Sequence, residues 1–337
     1  MSDPLAGFDP DGPADFDGPF GLPHGLDQAA VVVIPAPWDG TASFHRGTAD
    51  GPAAVLEASQ QVDLHHAIYG DAIWRAGVAA EPADPRFDGW RAVADAARDP
   101  EAINPVSAAI DAHLQARVAA RLAAGQIPAV LGGEHSVALG GLRAALAREP
   151  ALGVLHIDAH ADLRVAYEGF EFSHASVFDH FLREAGPQAR LVSVGLRDVG
   201  RAEVARIQAE DRVRAFFDHD LAAAKLAGTG FAELADRVVG DLPATVWISV
   251  DIDGLDPSLC PTTGTPVPGG LSWHEITHLL RAVARSGRRV LGFDLCEVGP
   301  GPWDANVGAR LLYELAGTAL HSTALQSAAL HSRGEAP

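Results

Sequence analysis

The stretch Gly153-Val154-Leu155-His156-Ile157-Asp158-Ala159-His160-Ala161-Asp162 decides the fold class. Its first half is short, apolar and β-branched, as a strand covered on both faces must be. Its second half turns abruptly to acids and a histidine. In an open parallel sheet, ligands bind beyond the carboxyl ends of the strands, so polar groups gather there. Alternate residues of an extended chain share one side, and Asp158, His160 and Asp162 are therefore expected to point together.

Similar apolar runs lie at residues 30–34, 128–131, 190–194, 245–250 and 289–293. Helical patterns fall between them, at 106–124, 137–147, 176–184, 201–209, 274–284 and 307–320. This alternation predicts an α/β fold, a parallel sheet with helices on both sides. Three more runs end in chemistry. Leu131-Gly132-Gly133-Glu134-His135-Ser136 follows one. Ser249-Val250-Asp251-Ile252-Asp253-Gly254-Leu255-Asp256-Pro257 closes a second, and Phe293-Asp294-Leu295-Cys296-Glu297 a third.

Composition narrows the function. Hydrophobic residues make up 47% and charged residues 20% of the 337, which excludes wholesale disorder. The charge balance, 25 − 44 = −19, repels phosphate backbones, so neither nucleic acid nor an anionic membrane is an expected partner. It suits a small cationic molecule. No run approaches about 20 apolar residues, and no Lys or Arg precedes Arg46. The two cysteines, Cys260 and Cys296, fit a reducing cytoplasm, with neither a disulfide framework nor a thiolate zinc site. Residues 1–28 hold six Asp, five Pro, five Gly and no Lys or Arg. They read as an acidic arm, with Phe8, Phe16 and Phe20 to pin it to the body or to a neighbouring subunit. Residues 29–328 then form a single domain and 329–337 a tail.

Each polar cluster alone is ambiguous. Asp-x-Asp is common in turns, and Ser136 can simply cap a helix. Together they make a metal centre. Carboxylates converging from two strands repel one another unless cations neutralise them. Four Asp (Asp158, Asp162, Asp251 and Asp253) with His135 and His160 suit two divalent ions. A carboxylate-rich, thiolate-free set favours manganese over zinc, with nickel, iron or cobalt as other possible occupants.

These motifs, in this order, resemble those of the ureohydrolase family of arginases, agmatinases and relatives. Gly132–Ser136, Asp158–Asp162 and Ser249–Pro257 are similar to the family's three motifs, and the likeness extends from about Val31 to Leu320. It implies a three-layer α/β/α sandwich around an eight-stranded, mostly parallel sheet, assembled as a homotrimer or homohexamer. It implies that His135 and Asp162 bind one ion, His160 and Asp253 the other, and that Asp158 and Asp251 bridge them. Glu297 would clamp the substrate guanidinium, His174 would shuttle a proton, and Thr265 would line the pocket. Glu134 stands where the commonest family form has Asp, and is expected to support the site from behind.

The implied reaction hydrolyses a guanidinium to an amine and urea. Arginases carry Asn at the position of Arg164, and the string Asp158-Ala159-His160-Ala161-Asp162-Leu163-Arg164 is closer to bacterial and archaeal agmatinases. Agmatine is thus the expected substrate, with Glu168 and Glu171 expected to meet its ammonium tail. Arginine, guanidinobutyrate and aminopropyl-agmatine are the alternatives. Arg164 either pairs with a loop acid or reads a carboxylate. Deacetylases of related fold use one zinc and lack His135 and Asp162 together. A degenerate binding protein would have lost ligands that this chain keeps.

Overall fold

The computed structural model describes residues 4–334, with side chains through Thr323. Eight strands are present: β1 (Val31–Ala36), β2 (Val78–Ala80), β3 (Ile127–Gly132), β4 (Gly153–Ile157), β5 (Arg190–Leu196), β6 (Val213–Phe217), β7 (Thr245–Asp251) and β8 (Arg289–Cys296). They form one sheet in the order β2-β1-β3-β8-β7-β4-β5-β6, and every neighbouring pair is parallel. The six strands expected from the sequence are all present. β2 and β6 were not foreseen. β2 is too short to show a period, and β6 is an edge strand that carries Arg214 and is half-exposed along most of its length.

Alternation builds the layers. Leu155 and Ile157 enter one core, while Val154 enters the other. Helices Gly51–Ser59, Phe231–Gly240, Trp273–Arg285 and Pro302–Gly334 supply the first core. Helices Pro100–Ala123, Ala138–Arg148 and Val177–Glu184 supply the second. The result is the expected three-layer α/β/α sandwich. Among the described residues, no helix is long and apolar enough to cross a membrane.

Both chain ends depart from expectation. Residues 4–28 are not an extended arm. Phe20 is 3% exposed, and its ring centroid lies 4.7 Å from that of Tyr313. Phe20 and Leu22 belong to the first core, and Phe8 packs 5.8 Å from Trp74. Phe16 alone of the three stays exposed. At the other end, the last helix continues to Gly334, past the point where a tail was expected at 329. Residues 335–337 lie outside the described residues.

This packing makes the N-terminal segment part of the cooperative unit. Truncating a buried Phe to Ala costs about 3–5 kcal/mol. Phe20→Ala should therefore lower stability by about that amount in urea unfolding. A loss below about 1 kcal/mol would mean that residues 4–28 are dispensable to the fold.

Candidate metal centre

The four motif-bearing strands are neighbours, in the order β3-β8-β7-β4 at the middle of the sheet. The chain leaves β3 and re-enters the sheet at β4, three strand positions away, and fills the two-strand gap later with β7 and β8. Their carboxyl ends therefore face one crevice at a topological switch point, where open α/β sheets bind ligands.

The convergence is not made by the strand pleat, as the sequence suggested. β4 ends at Ile157, and Asp158–Asp162 curls through bends, with Asp162 at φ +51°. Asp251 ends β7, and a 3-10 turn at Ile252–Gly254 follows, in which the Asp253 N–H donates to Asp251 Oδ1 at 2.9 Å. Glu297 also sits at positive φ, +62°. Such conformations cost of order 1–3 kcal/mol for a non-glycine residue and gather at functional sites. The two loops touch closely. A Cβ on Gly254 would lie 2.7 Å from the Asp158 nitrogen, so only glycine fits.

Six donors meet in two groups. His135 Nδ1 lies 3.1 Å from Asp158 Oδ2, 3.0 Å from Asp162 Oδ2 and 3.7 Å from Asp251 Oδ2. His160 Nδ1 lies 3.4 Å from Asp158 Oδ1 and 3.2 Å from Asp253 Oδ2. Asp158 thus turns one oxygen to each group. His135, Asp158 and Asp162, with His156 behind them, have ligand atoms close enough together to hold a metal ion, as do Asp158, His160 and Asp253; Asp251 stands at the edge of the first group.

Protein charges alone balance this cluster poorly. Burial pushes the Asp162 carboxyl up to about 7, and the charge of Asp158 adds to the rise. Burial likewise lifts Asp251 and Glu297 well above the carboxylate range, helped by Asp253 and Glu134 respectively. For Asp158 burial acts upward too, but hydrogen bonds from His135 and His156 win and hold it far down. His160 is lowered by burial yet driven to about 12 by Asp158 and Asp253. Carboxyls that must borrow protons or cations to be buried are suited to a cation.

A second layer aims the donors. His135 Nε2 is 2.9 Å from Ser249 Oγ, and Ser249 donates to Asp294 Oδ1 at 2.8 Å. Trp247 Nε1 donates to the other oxygen of Asp294 at 2.6 Å. Since the Ser249 proton goes to Asp294, its oxygen accepts from His135 Nε2–H, and Nδ1 is the nitrogen turned toward the acids. His156 is fully buried behind them, bonded to Asp158 and Ser193. Arg197 donates to the carbonyls of Asp253, Leu255 and Val267, fixing the loop after β7. Glu297 Oε1 accepts the His135 N–H at 2.9 Å. Burial raises Glu134 to about 7, opposed by hydrogen bonds from Ser136 and Thr41.

A cavity of about 290 Å³ opens beside the donors, lined by His160, Asp162, His174 and Thr265 among others. Thr265 Oγ1 donates to Asp253 Oδ2 at 3.1 Å. Glu168 and Glu171 do not meet the expectation placed on them: both are exposed, and neither lines the cavity. The hairpin at Tyr167–Phe170 points them outward. The acids at the mouth are instead Asp198 and Glu203, after β5. Glu203 is committed, accepting the N–H groups of Leu163 and Gly200, with Arg164 Nε 3.6 Å away. Arg164 also stacks 4.4 Å over the Tyr167 ring, so its partner is a helix acid and an aromatic face. The Asp198 carboxylate has no such partner among the described residues. A larger cavity of about 840 Å³ lies between residues 8–21 and 60–65 and touches none of these groups.

Comparison with known proteins agrees with this geometry. Residues 29–321 match the model of the arginase family. The chain is 35% identical to an N(1)-aminopropylagmatine ureohydrolase of Thermus thermophilus, over 86% of this chain and 90% of that protein. It is 32% identical to proclavaminate amidinohydrolase of Streptomyces clavuligerus, covering 87% and 90%. The solved agmatine ureohydrolase of Thermoplasma volcanium superposes with a TM-score of 0.71 at 25% identity, covering 89% and 93%. The ordered motifs, the all-parallel eight-stranded sheet and the match over residues 29–321 together show that the chain belongs to the arginase family.

Proposed function

We propose that the chain is a manganese-dependent ureohydrolase acting on a linear guanidine with an amine tail, and that agmatine is split to putrescine and urea. The observation that carries this reading is the pair of donor groups sharing Asp158, beside a cavity whose free acid is Asp198. His135 and Asp162 would hold one ion, His160 and Asp253 the other, and Asp158 and Asp251 both. A bound pair of divalent ions supplies an activated water at neutral pH and neutralises the buried acids. Glu297, whose Oε1 is used by His135, keeps Oε2 to accept guanidinium N–H groups. Water oxygen bonds to the guanidinium carbon, the carbon–nitrogen bond to the tail breaks, and His174 delivers a proton to the departing amine. Two buried free thiols suit a cytoplasmic setting.

Elemental analysis of reconstituted protein should find about two ions per chain, and manganese should restore activity after chelation. Asp158→Ala should lose both ions together. A saturated, active enzyme with one ion per chain would overturn the dinuclear reading.

Self-association into a trimer or hexamer is part of the same proposal, supported by the family resemblance and by exposed Phe16. Light scattering at micromolar concentration should give a mass of three or six chains. A monomer would refute it.

Substrate choice turns on Asp198. An ammonium about 4 Å from one carboxylate gains roughly 4 kcal/mol at an effective dielectric near 20, before desolvation. Screening and Arg164 leave an expected net of about 1–3 kcal/mol, or roughly 5- to 150-fold. A cavity near the small end of ligand pockets fits a thin, linear molecule. Values of kcat/KM should favour agmatine or N-aminopropyl-agmatine over arginine and guanidinobutyrate by that factor, and Asp198→Asn should erase the preference. Faster turnover of a carboxylate-bearing guanidine would transfer the tail-reading role to Arg164.

A further inference from the structure

We infer that Glu134 and Thr41 are positioning residues which decide the nitrogen of His174 that carries a proton. The inference rests on the reading of His174 as the proton carrier. It starts from a hydrogen-bond chain that no catalytic role has yet used. Glu134 is fully buried, and three donors converge on its two oxygens. The Thr41 N–H donates to Oε2 at 2.8 Å, the Thr41 hydroxyl to Oε1 at 2.7 Å, and the Ser136 hydroxyl to Oε1 at 2.6 Å. Three donors on two oxygens favour the ionised form of Glu134, which only accepts, so the single proton of the Thr41 hydroxyl is committed to it.

The Thr41 oxygen is then an acceptor toward everything else. It takes the His174 backbone N–H at 3.1 Å, and it faces the ring nitrogen Nδ1 at 3.3 Å. If Nδ1 were bare, two lone pairs would oppose each other. With Nδ1 protonated, it donates to Thr41, and Ser173 Oγ at 3.4 Å is a second acceptor. The bare nitrogen is therefore Nε2, which lies 3.3 Å from Ser43 Oγ. Ser43 and His174 both line the cavity. Nε2 is the atom able to take the proton given up by the attacking water and pass it to the departing nitrogen, returning to its starting state. An acid two bonds removed orients a histidine, as outer partners orient ligands and bases elsewhere.

Glu134→Gln would reverse the chain. The Thr41 N–H still needs an acceptor, so the amide oxygen takes that place and the NH₂ group faces the Thr41 hydroxyl. Thr41 then accepts from the amide and turns its own proton to Nδ1, which moves the ring proton to Nε2.

The test is steady-state kinetics of metal-loaded enzyme on whichever of agmatine, N-aminopropyl-agmatine, arginine and guanidinobutyrate is turned over fastest. Thr41→Val and Glu134→Gln should each lower kcat about 10- to 100-fold, the usual cost of removing an orienting partner. KM should change by less than about three-fold, and metal content should stay the same. Thr41→Ser, which keeps the hydroxyl, should recover most of the loss. In a His174→Ala background, neither substitution should lower kcat further, because the group they position is gone. An equal further loss in that background, or a loss of metal, would show that Glu134 and Thr41 act elsewhere and overturn the inference. So would undiminished kcat in Thr41→Val while His174→Ala is impaired. Undiminished kcat in His174→Ala would instead overturn the proton-carrier reading, and this inference with it.

Discussion

Four aspartates buried at the ends of two adjacent strands are the constraint around which the chain is arranged. Desolvating one carboxylate costs several kcal/mol, and crowding four together adds repulsion. The fold meets this by pairing and by design of the surrounding backbone. Asp158 sits between His135, His156 and His160, and is held charged. Asp162 and Asp251, with less help, are driven toward their protonated forms. That imbalance is what a divalent cation would relieve, and it explains why so much of the interior near the switch point is given to polar side chains.

The supporting structure has two kinds of parts. Backbone devices bring the loops together: positive φ at Asp162 and Glu297, and the close contact that Gly254 permits with Asp158. Side-chain devices keep the donors aimed: Trp247 and Ser249 on Asp294, and Arg197 on three carbonyls. The first cost conformational energy, and the packed apolar cores on both sheet faces offset it. The second are satisfied hydrogen-bond networks, which stiffen a site where partial satisfaction would be costly. Rigid donors on strand ends and a substrate wall carried on loops divide the labour between chemistry and selection.

The motifs were legible because their information is local. His135, Asp158, His160, Asp162, Asp251 and Asp253 each lie within a few residues of a recognisable apolar strand, and strand ends share one side of a parallel sheet. His174, Thr265 and Glu297 were named through resemblance; His174 and Thr265 line the cavity, and Glu297 lies with them at a separate small pocket of about 10 Å³. Glu168 and Glu171, expected at the substrate tail, lie outside the cavity for an opposite reason. They are near His174 along the chain, but the intervening hairpin turns them to solvent. Asp198 follows β5, a strand that was expected, so its position was a usable signal. Nothing in the order of residues said that the β5 loop reaches the same mouth.

The amino-acid sequence by itself determined the α/β class, the polar strand ends and the donor types, because each depends on short-range periodicity and on the chemistry of single side chains. It also determined the acidic balance that favours a cationic substrate. Only the tertiary structure decided that β8 and β7 insert between β3 and β4, which brings the donors from separate motifs into two groups. It also decided that the N-terminal segment folds into the core through Phe20, and that Glu134 reaches Thr41 across 93 positions of sequence to touch the surroundings of His174. These are long-range contacts. Their partners are chosen by chain topology and packing, and no local pattern encodes which distant hydroxyl or carbonyl will stand 3 Å away.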